Sequence, residues 1–127
     1  SFSFDATESP DLFPPLAALA AYCSGTSVVK GVSRLAHKES DRAGALKDEF
    51  GKMGITISIS DDIMKITGGK VTGASTESHN DHRIAMALAV AALGANAKVS
   101  IRDSHSVGKS YPGFFDDLRI VGAMINE

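Results

Sequence analysis

Charged and polar side chains cluster at the predicted starts of four helices, and their types and spacing suit the binding of anions. They are Asp11, then Lys38-Glu39-Ser40-Asp41-Arg42, then Asn80-Asp81-His82-Arg83, and finally Lys109. Backbone N–H groups are unpaired at a helix N-terminus and the helix dipole is positive there, which favours a bound anion. Cations are unfavourable at that end of a helix. The Lys and Arg side chains therefore predict a phosphate or carboxylate ligand that offsets their charge.

Simpler structural roles are open to these residues when each is taken singly. A simple helix cap is the structural alternative for Asp11, Ser40, Asp41 and Asn80, which are all of preferred capping types. Glu39 and Arg42 are three residues apart and could form a surface ion pair worth about 0.3 kcal/mol. His79, Asp81 and His82 could be metal ligands, but three residues at one helix start match no known zinc spacing, so we expect no metal site.

The pattern of apolar residues predicts alternating strands and helices that would position these clusters. Pro14 and Pro15 are tolerated in a first helical turn, and Gly54 is a helix stop signal. Alternating residues on both sides of Asp61-Asp62 predict a hairpin. Predicted helices cover residues 13–22, 42–53, 80–95 and 111–125, the second capped by Ser40-Asp41 and the third by Asn80; predicted strands cover 1–4, 26–32, 55–59, 63–67 and 98–102, with a short one near Val71 and a loop at 103–110.

The second half of this order repeats the first half without its closing hairpin. The order is β-α-β-α-β-β and then (β)-α-β-α. Residues 1–68 would form one complete βαβαββ unit, and residues 69–127 a second, incomplete unit of the same domain. Residue identity between the halves is negligible, so the repeat is one of fold. The alternation predicts an α/β domain with mixed sheets.

Composition narrows the class of protein. The chain has 127 residues, of which 43% are hydrophobic and 22% charged, as is typical of a soluble globular domain. A net charge of −2 provides no general attraction to nucleic acid or anionic lipid. No stretch approaches the roughly 20 apolar residues that a membrane span needs. The single cysteine, Cys23, excludes an internal disulfide and predicts a buried thiol in a reducing, cytoplasmic environment.

Four segments resemble the 5-enolpyruvylshikimate-3-phosphate (EPSP) synthase family, in the same order along the chain. They are Ser9-Pro10-Asp11-Leu12-Phe13-Pro14-Pro15-Leu16, His37-Lys38-Glu39-Ser40-Asp41-Arg42, Asn80-Asp81-His82-Arg83-Ile84-Ala85-Met86-Ala87 and Lys109-Ser110-Tyr111-Pro112. The strings KESDR and NDHR are highly specific, and the resemblance covers the whole chain. The related family that transfers enolpyruvate to a UDP-sugar shares the fold but resembles these segments poorly.

The resemblance implies an enolpyruvate transferase fold of βαβαββ units, with mixed sheets and helix N-termini that face an active-site cleft. It implies transfer of the enolpyruvyl group of phosphoenolpyruvate (PEP) to the 5-hydroxyl of shikimate 3-phosphate, with release of phosphate. This addition and elimination belongs to the shikimate pathway of aromatic amino acid biosynthesis, and the family is the target of glyphosate. The resemblance further implies a monomer that needs no metal or organic cofactor.

The resemblance also implies a role for each matching residue. Glu39 matches the carboxyl group that delivers a proton to the PEP methylene. Asp11 matches the group that takes a proton from the hydroxyl and contacts shikimate 3-phosphate. Two carboxyl groups in different environments can divide acid and base roles in this way. The remaining assignments are PEP binding by Arg42, Arg83 and Lys109, shikimate 3-phosphate binding by Lys38, and support of Arg83 by Asp81 and His82.

The same resemblance places further phosphate-binding residues upstream of Ser1. We therefore expect the 127 residues alone to be inactive and to need the N-terminal part of the same polypeptide as a partner. Two alternatives from other classes remain. A nucleic-acid-binding module would require a basic face or exposed stacking aromatics, which this composition disfavours. A non-catalytic phosphometabolite-binding domain would use the same cations.

Overall fold

Two β-sheets with four α-helices packed on them form the part of the chain that the computed structural model describes, which is residues 1–36, 38 and 40–126. The strands are β1 (Ser3–Asp5), β2 (Thr26–Lys30), β3 (Thr56–Ser60), β4 (Ile63–Thr67), β5 (Ala74–Glu77) and β6 (Val99–Arg102). The helices are α1 (Phe13–Ala21), α2 (Arg42–Lys52), α3 (His82–Ala92) and α4 (Phe114–Ile120), with short 3₁₀ helices at Pro10–Leu12, Val32–Leu35 and Ser104–Lys109. The element order is the predicted one, and the predicted α/β class with mixed sheets is confirmed.

The first sheet has the strand order β1-β2-β4-β3. β1 and β2 are parallel and joined through α1, whereas β4 pairs antiparallel with both β2 and β3. The predicted hairpin is confirmed: β3 and β4 turn at Asp61, which adopts a positive φ of 55°. Met64 and Ile66 alternate inward along β4 while Lys65 and Thr67 face solvent, as a strand with one buried face requires.

The second sheet consists of the parallel pair β5 and β6, joined through α3. The predicted short strand near Val71 is wrong, because the strand lies at Ala74–Glu77. Val71 is instead buried in the core, and its carbonyl accepts a hydrogen bond of 2.9 Å from Asn96 N. At Gly73 an added Cβ would lie 2.7 Å from the Ala97 side chain, so the backbone passes too close for a larger residue. Strand pairing begins only after this point.

Helix packing fills the space between the two sheets. α1 packs against α3, and both helices bury rows of alanine side chains, which let their backbones approach closely. The Tyr22 hydroxyl donates to the Ala91 carbonyl across this contact. α2 adds Leu46 and Phe50 to the same core. Cys23 is only half-buried, which differs from the predicted fully buried thiol. No helix in the described ranges is long and apolar enough to cross a membrane.

Aspartate side chains cap the N-terminal ends of α2 and α3. Asp41 caps α2 by accepting a hydrogen bond of 3.2 Å from Gly44 N, in agreement with the predicted cap. α3 is capped by Asp81 and not by Asn80, whose positive φ of 53° leaves it outside the helix. The helix then ends at Ala92, three residues before the predicted end. The sequence pattern alone could not separate two adjacent residues that are both good caps.

The C-terminal segment differs from its prediction. The predicted loop 103–110 contains the 3₁₀ helix Ser104–Lys109, and α4 covers only Phe114–Ile120. Gly113 precedes α4 and Gly122 follows it with a positive φ of 113°, which a helix cannot continue through. Lys109 therefore ends a 3₁₀ helix and does not begin an α-helix.

Candidate active site

Arg42 is a buried cation at the first position of α2, with only 1% of its side chain exposed. Its Nε donates to Asp81 Oδ2 at 2.8 Å and its Nη2 to Asp81 Oδ1 at 3.3 Å. Its Nη1 donates to Asp11 Oδ1 at 3.0 Å. A buried charge is stable only when it is paired and hydrogen-bonded, and these two carboxylates meet that need. The contacts join the start of α2 to the start of α3 and to the 3₁₀ helix Pro10–Leu12.

Asp81 is the anion at the centre of these contacts, and its side chain is fully buried. Besides the Arg42 fork it accepts hydrogen bonds from Ser40 Oγ at 2.8 Å and from Arg83 N at 3.0 Å. Burial raises the pKa of the Asp81 carboxyl, but the hydrogen bonds from Arg42 and Ser40 outweigh burial and hold that pKa below its usual range. Asp81 therefore stays ionised at neutral pH and fixes Arg42 by a two-point contact.

Asp11 and Arg83 are the solvent-facing members of the group. The Asp11 side chain is 54% exposed and the Arg83 side chain 36%, and Asp11 Oδ2 lies 3.5 Å from Arg83 Nη2. One carboxylate thus contacts Arg42 with one oxygen and Arg83 with the other. Both the half-exposed guanidinium and the half-exposed carboxylate can reach a molecule that arrives from solvent.

The 3₁₀ helix Ser104–Lys109 contacts the start of α3 from another side. Lys109 Nζ donates to the carbonyl of Asn80, and Ser110 Oγ is hydrogen-bonded to Nδ1 of His82. His82 is nearly buried. His82 is thus hydrogen-bonded to Ser110, and the Arg83 backbone N–H donates to Asp81. Asp81 thus accepts one hydrogen bond from the Arg83 backbone and two from the Arg42 side chain.

Lys38 lies in an exposed bend before α2. Glu39, which the family resemblance makes a catalytic acid, lies outside the described residues, as does His37. In the described ranges, no group of three His, Cys, Asp or Glu side chains is placed to hold a metal ion.

The structure brings together residues that are far apart in the chain, as the common position at helix starts predicts. Asp11, Arg42, Asp81 and Arg83 form one continuous set of contacts, and Lys109 reaches the residue before Asp81. Such a set can bind an anion between its cations and can accept a proton on the exposed carboxylate.

Sequence reasoning missed two polar contributors near this site. Ser40 was interpreted as a cap, but its hydroxyl donates to Asp81. Glu49 received no role, although it is buried on α2 and contacts His79 just before Asp81. A signal was available for Glu49, because it falls between Leu46 and Phe50 on the face of α2 that the apolar spacing assigns to the core.

The chain is similar in sequence to known proteins of one family. The sequence model of the family described as EPSP synthase (3-phosphoshikimate 1-carboxyvinyltransferase) matches residues 2–118. The chain is 48% identical over 117 residues to the 3-phosphoshikimate 1-carboxyvinyltransferase of Thermococcus kodakarensis, an alignment that covers 92% of this chain and 29% of that protein. The chain thus spans less than a third of the length of this relative.

Solved structures give the same result at the level of the fold. EPSP synthase from Acinetobacter baumannii superposes with a TM-score of 0.85 at 33% identity, covering 95% of this chain and 28% of that one. The enolpyruvyl transferase NikO from Streptomyces tendae superposes with a TM-score of 0.74 over 98% of this chain and 28% of its own. Its 23% identity makes this second likeness one of fold alone.

Proposed function

The chain belongs to the EPSP synthase family, and we propose that it forms one side of an active site that joins PEP to shikimate 3-phosphate. The reaction transfers the enolpyruvyl group to the 5-hydroxyl and releases phosphate, without a metal or organic cofactor. The observation that carries this proposal is the contact of one exposed carboxylate, Asp11, with two arginines from two different helix starts. Phosphate and carboxylate are the two anionic groups of PEP, and both suit a pair of guanidinium groups.

Asp11 supports the binding assignment because it contacts the arginines as a substrate anion would. Its oxygens lie 3.0 Å from Arg42 Nη1 and 3.5 Å from Arg83 Nη2. PEP presents the same kind of oxygen atoms, and Lys109 adds a third cation near the start of α3. We expect PEP to replace Asp11 at these two arginines, which turns the freed carboxylate towards the acceptor hydroxyl.

The proton transfers are then divided between two carboxyl groups. Asp11 takes the proton of the 5-hydroxyl while the new C–O bond forms, and Glu39 delivers a proton to the PEP methylene. Departure of phosphate and loss of a proton from the resulting methyl group restore the double bond. The role of Asp11 is supported by its exposure beside the arginines, and that of Glu39 by the resemblance of the Lys38 to Arg42 segment. Lys38 and Asp11 contact shikimate 3-phosphate.

The proposal extends to the whole polypeptide. The N-terminal part of the same chain supplies the remaining phosphate ligands, and the complete protein is a cytoplasmic monomer with no nucleic acid or membrane partner. We retain the division into a complete βαβαββ unit at residues 1–68 and an incomplete unit at 69–127. It is supported by the separate sheets at 3–67 and 74–102.

The test is a phosphate-release assay on the full-length protein that carries this sequence. Release should require both PEP and shikimate 3-phosphate, and Asp11→Asn should lower kcat by about 10²–10⁴-fold. The melting temperature should change little, because Asn keeps an Oδ1 acceptor for Arg42 Nη1, Asp81 still pairs with Arg42, and the Asp11–Arg83 pair is exposed. Asp116→Asn is the matched control, since Asp116 is also an exposed aspartate paired with an arginine.

Three results would contradict the proposal. Release with a UDP-sugar in place of shikimate 3-phosphate would indicate the related transferase activity. Binding of PEP without turnover in the full-length protein would indicate a non-catalytic domain. Equal losses of rate in Asp11→Asn and Asp116→Asn would remove the catalytic role of Asp11. The 127 residues alone should show no turnover.

A further inference from the structure

Glu49 is a buried carboxylate that connects the middle of α2 to the chain segment before α3. Only 3% of its side chain is exposed. Its Oε1 accepts from Lys52 Nζ at 2.8 Å and from the backbone N of Glu77 at 2.9 Å, and its Oε2 lies 2.7 Å from His79 Nε2. Two of these three partners, Glu77 and His79, lie in the segment Glu77–Asn80, which runs from the last residue of β5 towards α3 and which we call the connection. Glu49 therefore holds that connection against α2.

The connection held by Glu49 has an unusual backbone. His79 and Asn80 both adopt left-handed conformations, with φ of 58° and 53°. Left-handed backbone is uncommon for non-glycine residues, although Asn and His adopt it more readily than most, and it persists where the surrounding structure holds it. The Ser78 hydroxyl provides part of this support, since it accepts from Asn80 N at 3.2 Å and donates to the Asp103 carbonyl at 3.0 Å. The contact between Glu49 and His79 adds support on the α2 side.

The position of Asp81 follows directly from this connection. Asp81 comes one residue after the left-handed pair, and it holds the Arg42 guanidinium and the Arg83 backbone. Arg42 and Glu49 lie on the same helix, seven residues and about 10 Å apart. α2 is thus bound to the connection at two points, of which one is the site itself and the other is Glu49.

We propose that Glu49 is a positioning residue for the arginine site, acting through His79 to fix the connection that places Asp81, Arg42 and Arg83. The inference rests on the proposed function, because the anion those arginines bind is taken to be PEP. A buried ion pair is weak evidence for stability, since its desolvation offsets its attraction. The two hydrogen-bonded contacts of Glu49 with a strained turn instead match a role in fixing geometry.

His79 offers a sharp pair of variants. His79→Asn keeps a residue that tolerates the left-handed backbone but is too short to reach Glu49. His79→Gln places an amide nitrogen near the position of Nε2 and should restore the contact. Glu49→Gln removes the charge while keeping the shape. Lys52→Met is the matched control, because Lys52 is a half-exposed partner of the same carboxylate and belongs to α2 itself.

The four variants are compared in the full-length protein by steady-state kinetics and by calorimetric titration with inorganic phosphate. We expect His79→Asn and Glu49→Gln to raise the KM for PEP and lower kcat/KM about 10- to 100-fold. Phosphate should bind correspondingly weaker. His79→Gln and Lys52→Met should stay within about threefold of the unmodified protein. Simple loss of stability would lower the active fraction, and hence kcat, while KM stayed the same.

The outcomes separate this inference from the proposed function. If His79→Asn keeps the unmodified KM and phosphate affinity, the positioning role is overturned, and this holds even if Glu49→Gln fails to fold. An inactive unmodified protein would overturn the proposed function. In that case weaker phosphate binding by His79→Asn, restored by His79→Gln, would still support the positioning role, and equal phosphate binding would overturn it.

Discussion

Arg42 and Arg83 stand at equivalent places, in the first turns of two neighbouring helices, yet the structure uses them differently. Arg42 is buried and is held by both Asp81 and Asp11. Arg83 is about one-third exposed, and its guanidinium lies 3.5 Å from Asp11. Arg42 at the start of α2 is thus held in place by its partners, whereas Arg83 at the start of α3 presents its guanidinium to solvent. Arg42 is therefore both a structural cation and a proposed PEP ligand, whereas the contacts of the Arg83 guanidinium described here lie on the solvent-facing side of the site alone.

Replacing Arg42 should have the largest effect, because Arg42 pairs with the buried Asp81 carboxylate. Arg42→Met leaves the Asp81 carboxylate buried without its cation, and removing one partner of a buried pair costs about 3–5 kcal/mol. We expect the urea midpoint to fall accordingly and activity to disappear with the fold. A variant that stayed as stable as the unmodified protein would show that Arg42 is not structural.

Replacing Arg83 should lower kcat/KM strongly and stability only slightly. Arg83→Met removes charge-assisted hydrogen bonds to the ligand, so kcat/KM for PEP should fall about 10²-fold. Stability should change by less than about 1 kcal/mol, because the ion pair with Asp11 is exposed. Arg102→Met provides the control, since Arg102 is exposed and paired with Glu77 at 3.7 Å. Equal losses of kcat/KM in Arg83→Met and Arg102→Met would show that Arg83 has no special role in binding the ligand.

A smaller effect is expected for the hydroxyl that supports Asp81. Ser40→Ala removes a 2.8 Å hydrogen bond to a buried carboxylate and should cost about 1–2 kcal/mol of unfolding free energy. Ser33→Ala removes a similar bond of 2.6 Å to Asp62, but at an exposed site, and should cost less. Urea unfolding of the two variants measures the difference. A larger loss in Ser33→Ala would contradict the importance of burial.

The smallest effect is the pH dependence of that same difference. The pKa of the Asp81 carboxyl is held below its usual range, so the stability that ionised Asp81 contributes is fully present above the ordinary carboxyl pKa, about 4. It is lost as the pH falls through the lower pKa of the folded state. The stability gap between the unmodified protein and Ser40→Ala should therefore narrow between pH 7 and pH 3. A constant gap would mean that Ser40 does not stabilise the ionised form.

Local sequence signals predicted the elements well wherever one periodicity dominated. The β3–β4 hairpin and the starts of α1 and α2 lie where alternation, prolines and the Asp41 cap indicate them. The signal failed where neighbours competed or long-range packing decided. Asn80 and Asp81 are both good caps, and only the buried Arg42 selects Asp81. Val71 has strand propensity but serves the core as a single buried side chain.

The sequence does not predict which side chains of the candidate site are buried. Motif strings brought Asp11, Arg42 and Arg83 into one group, and the structure places them in contact. Which arginine is buried depends on partners 31 and 39 residues away, which no local pattern encodes. The burial of Glu49 is indicated by the apolar spacing of α2, but its contact with His79 is not, because His79 lies 30 residues along the chain.

The alanine rows between α1 and α3 restrict how this sequence can vary. Ala17, Ala20 and Ala21 on α1, with Ala87 and Ala91 on α3, are almost wholly inaccessible to solvent. Larger side chains there would force the helices apart at a cost of typically 1–3 kcal/mol, and the start of α3 would move with its helix. A saturation mutagenesis scan under selection for activity should therefore find these alanines nearly as intolerant as the charged residues. Few substitutions in the contact between α1 and α3 would then be neutral as relatives of this protein diverge.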